Sequence, residues 1–211
     1  MKRTVQPEIL DSLPSDAPEA IWSRRDLRMI NRLMGNYRWL SRQIVSSTTV
    51  IELGAGDGAI TSHRALLGKT TVHGVDLAPR PTSWPEDWSW THGDLFQCWP
   101  QVGEGSTVIA NLFLHHFEEA ELRQIGSRVE SSGARRLLAC EPARFFRHQV
   151  QGALLPILGI NAVTRHDLHV SIRAGFRRGE LGAFLGLDPH RWIIRERITF
   201  LGALRFEACR T

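Results

Sequence analysis

"VIELGAGDGAIT", residues 50–61, decides how this chain folds. A short apolar run ends at Glu52 and Leu53. Gly54, Gly56 and Gly58 then fall within five positions, with Asp57 among them. An apolar run that breaks into glycines reads as a strand entering a tight loop. Glycine lacks a Cβ, so the backbone of such a loop can approach a ligand closely. The loop is also flanked and interrupted by acids, so its expected ligand is not an anion.

Outward from this stretch the same rhythm repeats. β-rich runs occur at "TTVIELG" (48–54), "TTVHGVD" (70–76), "WSWTHGD" (88–94), "STVIANLFL" (106–114) and "ARRLLACE" (134–141). Between the last two, Leu122, Ile125 and Val129 fall on one helical face. Nearly continuous apolar strands separated by helices predict a parallel sheet covered on both faces. The C-terminal stretch alternates instead. Trp192, Ile194, Ile198 and Phe200 lie on one side, Arg195, Arg197 and Thr199 on the other, with Gly202 between two such runs. This predicts an antiparallel pair closing the sheet.

The first forty-odd residues differ in character. Ser23-Arg24-Arg25-Asp26 has the pattern of a helix-start capping box, and Leu27, Ile30, Met34 and Tyr37 follow at helical spacing. A break is expected near Gly35-Asn36. The organisation read from the chain is therefore a helical N-terminal segment, 1–47, leading into one α/β domain, 48–211.

Composition narrows the setting. The apolar and charged fractions suit a soluble globule. Cys98, Cys140 and Cys209 form no metal-type cluster and cannot all pair, which predicts a reducing, cytoplasmic location. The N-terminus lacks the apolar core of a signal peptide. The apolar stretch 150–163 contains Pro156 and is too short to span a bilayer, which takes about 20 residues. The net charge of +4 is carried by scattered arginines, so neither nucleic acid nor membrane is an expected partner.

The glycines alone fit a dinucleotide as well as another adenosyl cofactor, since Ala59 completes the looser dinucleotide pattern. The acids separate the two. A pyrophosphate laid on this loop would be repelled by Asp57 and Glu52. S-adenosylmethionine carries a sulfonium and an ammonium and no phosphate, and a negative loop suits it. Glu52-Leu53-Gly54-Ala55-Gly56-Asp57-Gly58 resembles the first signature of class I S-adenosylmethionine-dependent methyltransferases. The flanking segments are similar to those of a small bacterial group resembling ubiquinone-type and small-phenol methyltransferases.

The resemblance implies a Rossmann-like, mostly parallel seven-stranded sheet with helices on both faces, a C-terminal antiparallel hairpin and an N-terminal helical lid. It implies S-adenosylmethionine as cofactor, held by Glu52, Gly54, Ala55, Gly56 and Gly58. Asp76 and Leu77 would follow at the ribose, where one carboxylate can accept from two hydroxyls. Gly93, Asp94 and Leu95 would lie at the adenine, and Asn111 and Leu112 at the methionine end. The acceptor implied is a small aromatic or phenolic compound. C-methylation of a quinol-type ring, RNA methylation and a cofactor-binding partner subunit stay as alternatives.

A phenol ionises near pH 10, so a base helps its methylation. His115, His116 and His166 are the candidates, with Asp167 beside the last. His115 and His116 are adjacent, so in a regular strand they point apart and cannot share a metal; no metal is expected. Arg165 and Arg173 could hold an acidic acceptor group. Trp84, Trp88, Trp90 and Trp99 form either a stacking surface or the packing of a large loop. No prolines follow Asn111, which argues against the amide and base-amine methylation that uses an Asn-Pro-Pro turn.

Overall fold

The computed structural model describes the chain apart from residue 15 and residues 45–47, 64–66 and 155–158. Pro156 therefore lies outside the described residues. Seven strands form one sheet in the order β3-β2-β1-β4-β5-β7-β6. They are β1 (Thr49–Leu53), β2 (Thr71–Asp76), β3 (Ser89–His92), β4 (Thr107–Asn111), β5 (Arg136–Pro142), β6 (Trp192–Ile198) and β7 (Ala203–Arg210). The first five pair in parallel. β7 runs antiparallel to both β5 and β6. The alternating C-terminal stretch is the expected hairpin. Its turn spans four residues, with the Thr199 amide donating to the Ala203 carbonyl at 2.8 Å. Phe200 sits in that turn, 80% exposed, and does not continue the inward face of β6 as its spacing suggested.

The helices are α1 (Ile9–Ser12), α2 (Pro18–Met34), α3 (Asn36–Gln43), α4 (Glu119–Ser131), α5 (Phe146–Leu154), α6 (Ala162–Ala174) and α7 (Glu180–Leu185). Alternation along each strand divides two cores. Ile51 and Leu53 pack with Leu122, Ile125 and Val129 of α4 and Leu181 and Leu185 of α7. Val50 and Ile109 pack on the opposite face with Tyr37 and Leu40 of α3 and with Trp84 and Trp88. Each such fully buried side chain contributes about 1.5–3 kcal/mol. Glu52 lies between Ile51 and Leu53 and so points to the α3 face, beneath Tyr37.

One further local expectation is corrected. Ser23 does not start a helix: α2 begins at Pro18, which suits the first turn because its missing N–H has no partner to lose. Ser23 and Asp26 sit mid-helix and buried, and they serve a neighbour instead. The Asp26 carboxylate accepts from the Asn161 amide at 2.9 Å and from Thr164 Oγ1 at 3.0 Å, tying α2 to the start of α6. Residues 77–88 are a loop of turns. Of the two readings open for the tryptophans, the packing of a large loop is the one seen for Trp84, Trp88 and Trp90. Trp84 meets Trp88 and Trp90 edge-on with ring centres 5.3 and 4.9 Å apart. The indole N–H groups of Trp84 and Trp90 donate to the Ser89 and Ala78 carbonyls. The break near Gly35 is where it was read: Gly35, with φ of 65°, ends α2 and begins α3.

Candidate functional site

The loop after β1 turns on glycines in the left-handed region. Gly54, Gly56 and Gly58 have φ of 66°, 55° and 72°, which side chains with a Cβ rarely adopt. Ala55 is buried beneath them. The loop leads into a 3-10 helix, Ala59–His63. Its conformation is held from the next strand. Asp76, ending β2, accepts from the Gly56 amide at 2.8 Å with one oxygen and from the Ala78 amide at 2.7 Å with the other. Gly93 after β3 donates to the Asp76 carbonyl at 2.9 Å. Asp94 accepts from the Phe96 amide at 2.8 Å. The strand-end groups read from the sequence thus converge on one edge of the sheet. Leu95 does not join them, since its side chain is buried in the α4 core. Leu77 is 75% exposed.

Glu52 is fully buried beneath the Tyr37 hydroxyl, which is the one side-chain donor near it among the described residues and leaves its carboxylate oxygens short of a well-formed hydrogen bond. Burial pushes its carboxyl up to about 8; the Tyr37 hydroxyl pulls it down, and Asp76 and Asp57 push it further up. Asn111, ending β4, is also buried and leaves its Oδ1 without a partner. Its Nδ2 donates to Asn31 of α2. Leu112 follows with φ of 53°, a strained value for a leucine, and its amide donates to the Cys140 carbonyl at 2.8 Å. The Phe113 ring then lies over Gly54, where a Cβ would come within 2.0 Å of it.

The loop is less negative than its sequence. Asp57 forms an ion pair with Arg28 of α2. This pairing joins two positions 29 apart and has no local signal. The remaining charge facing the glycines belongs to Asp76, because Glu52, its carboxyl raised to about 8, holds its proton at neutral pH in the free chain.

The histidines fall into two groups. Residues Leu114–His116 form a 3-10 turn, not a strand. His115 and His116 therefore do not point apart: their rings lie 4.3 Å from centre to centre at 35°. His115 is buried. Its Nδ1 meets Glu141 at 2.8 Å and its Nε2 meets Glu8 at 3.4 Å. Burial lowers the imidazole, but Glu141 and Glu8 outweigh it and raise it to about 9. Glu141, at the end of β5, also accepts from the amides of Phe113 and Leu114, at 3.1 and 2.9 Å. His116 is pushed down to about 4 by burial and by its neighbour His115. Asp11 of α1 lies 3.7 Å from it, its carboxyl raised to about 6 by burial and then by Glu8 and Asp167.

His166 stands apart on α6. It is half exposed, 3.0 Å from Asp167, and lines a surface cleft with Gln6, His169 and Arg173. Asp167 turns to other work, accepting from the amides of Ile9 and Leu10 at 2.9 and 3.0 Å. Arg3 donates to the carbonyls of His115 and Phe117. The N-terminal segment therefore seats on α6 and on the turn after β4. Glu8, Arg28, Asn31 and Tyr37 were not read as site residues, because only the fold brings them there. Glu141 carried the same signal as Glu52 and Asp76, an acid at a strand end.

No protein-family model matches the chain, and no curated protein matches it in sequence. Solved structures do match its fold. The pyocyanin biosynthetic protein PhzM superposes with a TM-score of 0.64 at 18% identity, over 97% of this chain and 62% of its own. Magnesium protoporphyrin IX methyltransferase (ChlM) from Synechocystis PCC 6803, solved with bound SAH, gives 0.56 at 17% identity, over 96% and 91%. The plantazolicin methyltransferase BamL, in complex with a triazolic desmethylPZN analog and SAH, gives 0.66 at 11%, over 95% and 92%. The chain thus spans about three-fifths of PhzM and nearly all of the other two. At these identities the likeness is one of fold, and the fold is the Rossmann-like α/β sheet expected.

Proposed function

We propose that the chain is an enzyme that transfers a methyl group from S-adenosylmethionine to a small hydroxyaromatic acceptor, by O-methylation of a phenolic oxygen. The observation that carries the cofactor is the set of buried, under-satisfied acceptors on two residues at the glycine loop: the carboxylate of Glu52, with only the Tyr37 hydroxyl near it, and Oδ1 of Asn111. Leaving such groups unmatched costs about 1–3 kcal/mol each, more for a charged one. A cationic ligand bearing an ammonium supplies the missing donors. A dinucleotide fits less well, because the Gly56 amide is already committed to Asp76 and cannot face a pyrophosphate.

In this reading Gly54, Ala55, Gly56 and Gly58 let the cofactor lie against the backbone. Asp76 has further lone pairs for ribose hydroxyls beyond the two amides it holds. Gly93 and Asp94 flank the adenine, and Asn111 and Leu112 the methionine end. When bound, the cofactor supplies a methyl carbon activated by the sulfonium. The protein's share is alignment and exclusion of water. Residues 1–47 and helix α6 form the lid over the acceptor, a role supported by the contacts of Arg3, Arg28 and Asn31 with the ends of β1 and β4.

His116 is the favoured candidate by position; with its imidazole pushed down to about 4 it is neutral and serves as the hydrogen-bond acceptor that orients the phenolic hydroxyl rather than as a strong base. Among His115, His116 and His166 it combines a place in the turn after β4 with a partly exposed side chain. His115 is locked between two carboxylates and orients that turn. His166 faces a cleft of its own.

The test offers labelled S-adenosylmethionine with phenols, hydroxybenzoates and quinols in parallel with total RNA. Label in a small phenolic ether supports the reading. Label on a ring carbon moves the proposal to C-methylation. Label in RNA overturns the acceptor class. Tight cofactor binding with no transfer points to a partner-subunit role, and fluorescence quenching by NADH would overturn the cofactor itself.

A further inference from the structure

We infer that Glu8, His115 and His116 form a binding site for a first-row divalent transition metal, with Zn²⁺ the best match. Their ligand atoms all lie within 4.8 Å of one another, and theirs is the one such group among the described residues. Bonds of about 2.0–2.2 Å in a tetrahedral site place ligand atoms roughly 3.3–3.6 Å apart. The Nε2 of His115 and the Oε1 of Glu8 already stand at 3.4 Å. The His116 ring lies tilted at 35° to its neighbour with centres 4.3 Å apart, and its ligand atom is within 4.8 Å of the other two. Adjacent histidines achieve this because the 3-10 turn sets successive side chains about a third of a revolution apart. In a strand they would face opposite ways.

Two features outside the three ligands fit the same reading. The Nδ1 of His115 meets the buried Glu141 carboxylate at 2.8 Å, which leaves Nε2 toward Glu8. A carboxylate on the far nitrogen is how metal-binding histidines are oriented. Ser171 of α6 donates to Glu8 and holds it in place. The ligand chemistry, two imidazoles and one carboxylate, selects zinc and its neighbours over magnesium or calcium, which prefer all-oxygen sites. Three protein ligands leave a position open, as catalytic zinc sites do.

Glu8 and His115 are 107 positions apart. A bound ion would therefore clamp the N-terminal segment to the turn after β4. The inference stands apart from the proposed methyl transfer. If both hold, the ion, rather than His116, is the group that favours loss of the acceptor's proton.

The experiment strips the full chain with a chelator, titrates it with Co²⁺, and follows visible d–d absorption. Binding is expected at one equivalent and is displaced by Zn²⁺. His116→Ala and Glu8→Gln are each expected to weaken Co²⁺ binding by more than the roughly 10–100-fold that loss of an orienting partner costs. Far-UV circular dichroism checks folding, and Glu8→Gln, outside the sheet, keeps the test decisive if His116→Ala disturbs the turn. Absence of a Co²⁺ spectrum, or affinity unchanged in both folded variants, overturns the inference and leaves an ion pair between Glu8 and His115. Because the readout is metal alone, a failed methyl-transfer assay does not bear on it.

Discussion

Asn111 and Asn31 lie 80 positions apart, and the Nδ2 of Asn111 donates to the Oδ1 of Asn31 at 3.0 Å. Asn36 donates to the same oxygen at 3.1 Å. One acceptor thus joins the end of β4 to α2 and α3, and both donor residues are buried. Asn31→Ala strands two buried amides. The expected loss is about 2 kcal/mol or more of unfolding free energy, read from urea titration. A loss below about 0.5 kcal/mol, the size typical of surface changes, would mean that water replaces the lost acceptor.

Gly54 and Phe113 predict a coupling. Gly54→Ala meets two separate penalties: a left-handed φ of 66°, worth about 1–2 kcal/mol, and a clash with the Phe113 ring. Phe113→Ala removes the second and not the first. In a double-mutant cycle the Gly54→Ala cost is therefore expected to shrink in the Phe113→Ala background without vanishing. Strict additivity would show that the ring swings aside freely.

Asp76 binds the glycine loop through one oxygen and the Ala78 amide through the other. Asp76→Ala removes both contacts together with the acceptors proposed for ribose. Hydrogen bonds to a charged group contribute about 1.5–3 kcal/mol each. S-adenosylmethionine affinity, by calorimetry, is expected to fall by at least about tenfold. Unchanged affinity would remove Asp76 from the proposed site.

The strands were legible because both faces of a parallel sheet are covered, so each strand is an unbroken apolar run bounded by turn residues. The hairpin was legible from its alternation for the converse reason. What local spacing could not give was decided by contacts across the chain. Ser23 and Asp26 imitate a helix start, but their side chains serve Asn161 and Thr164. Asp57 looks like a free charge until Arg28 arrives from α2. The paired histidines were misread through the geometry assumed for them. "NLFLHH" continues an apolar run and reads as strand. β4 stops at Asn111, however, and the Glu141 carboxylate caps a 3-10 turn there.

Glu52 gives a prediction in pH. Its carboxyl is raised from the ordinary carboxylate range to about 8, first by burial and, against the pull of Tyr37, by Asp76 and Asp57. The folded chain therefore holds a proton that the unfolded chain releases at lower pH. That contribution to stability is fully present below about 4.5 and is lost as pH rises through about 8. Cofactor binding runs the other way. A cationic ligand pairs with the ionised carboxylate, so binding must expel the proton wherever the free site still holds it. Affinity for S-adenosylmethionine is expected to rise with pH, by up to about tenfold per unit between pH 6 and 8, and then to level off. The ligand's own ammonium also titrates, and Glu52→Gln separates the two effects because the glutamine has no proton to expel. The variant should bind more weakly at pH 8, keep only the ligand's own pH dependence, and lose the matching slope in thermal stability. An identical slope in Glu52→Gln would mean that the proton released on binding comes from another group, and Glu52 would then be a buried structural acid rather than the partner of the cation.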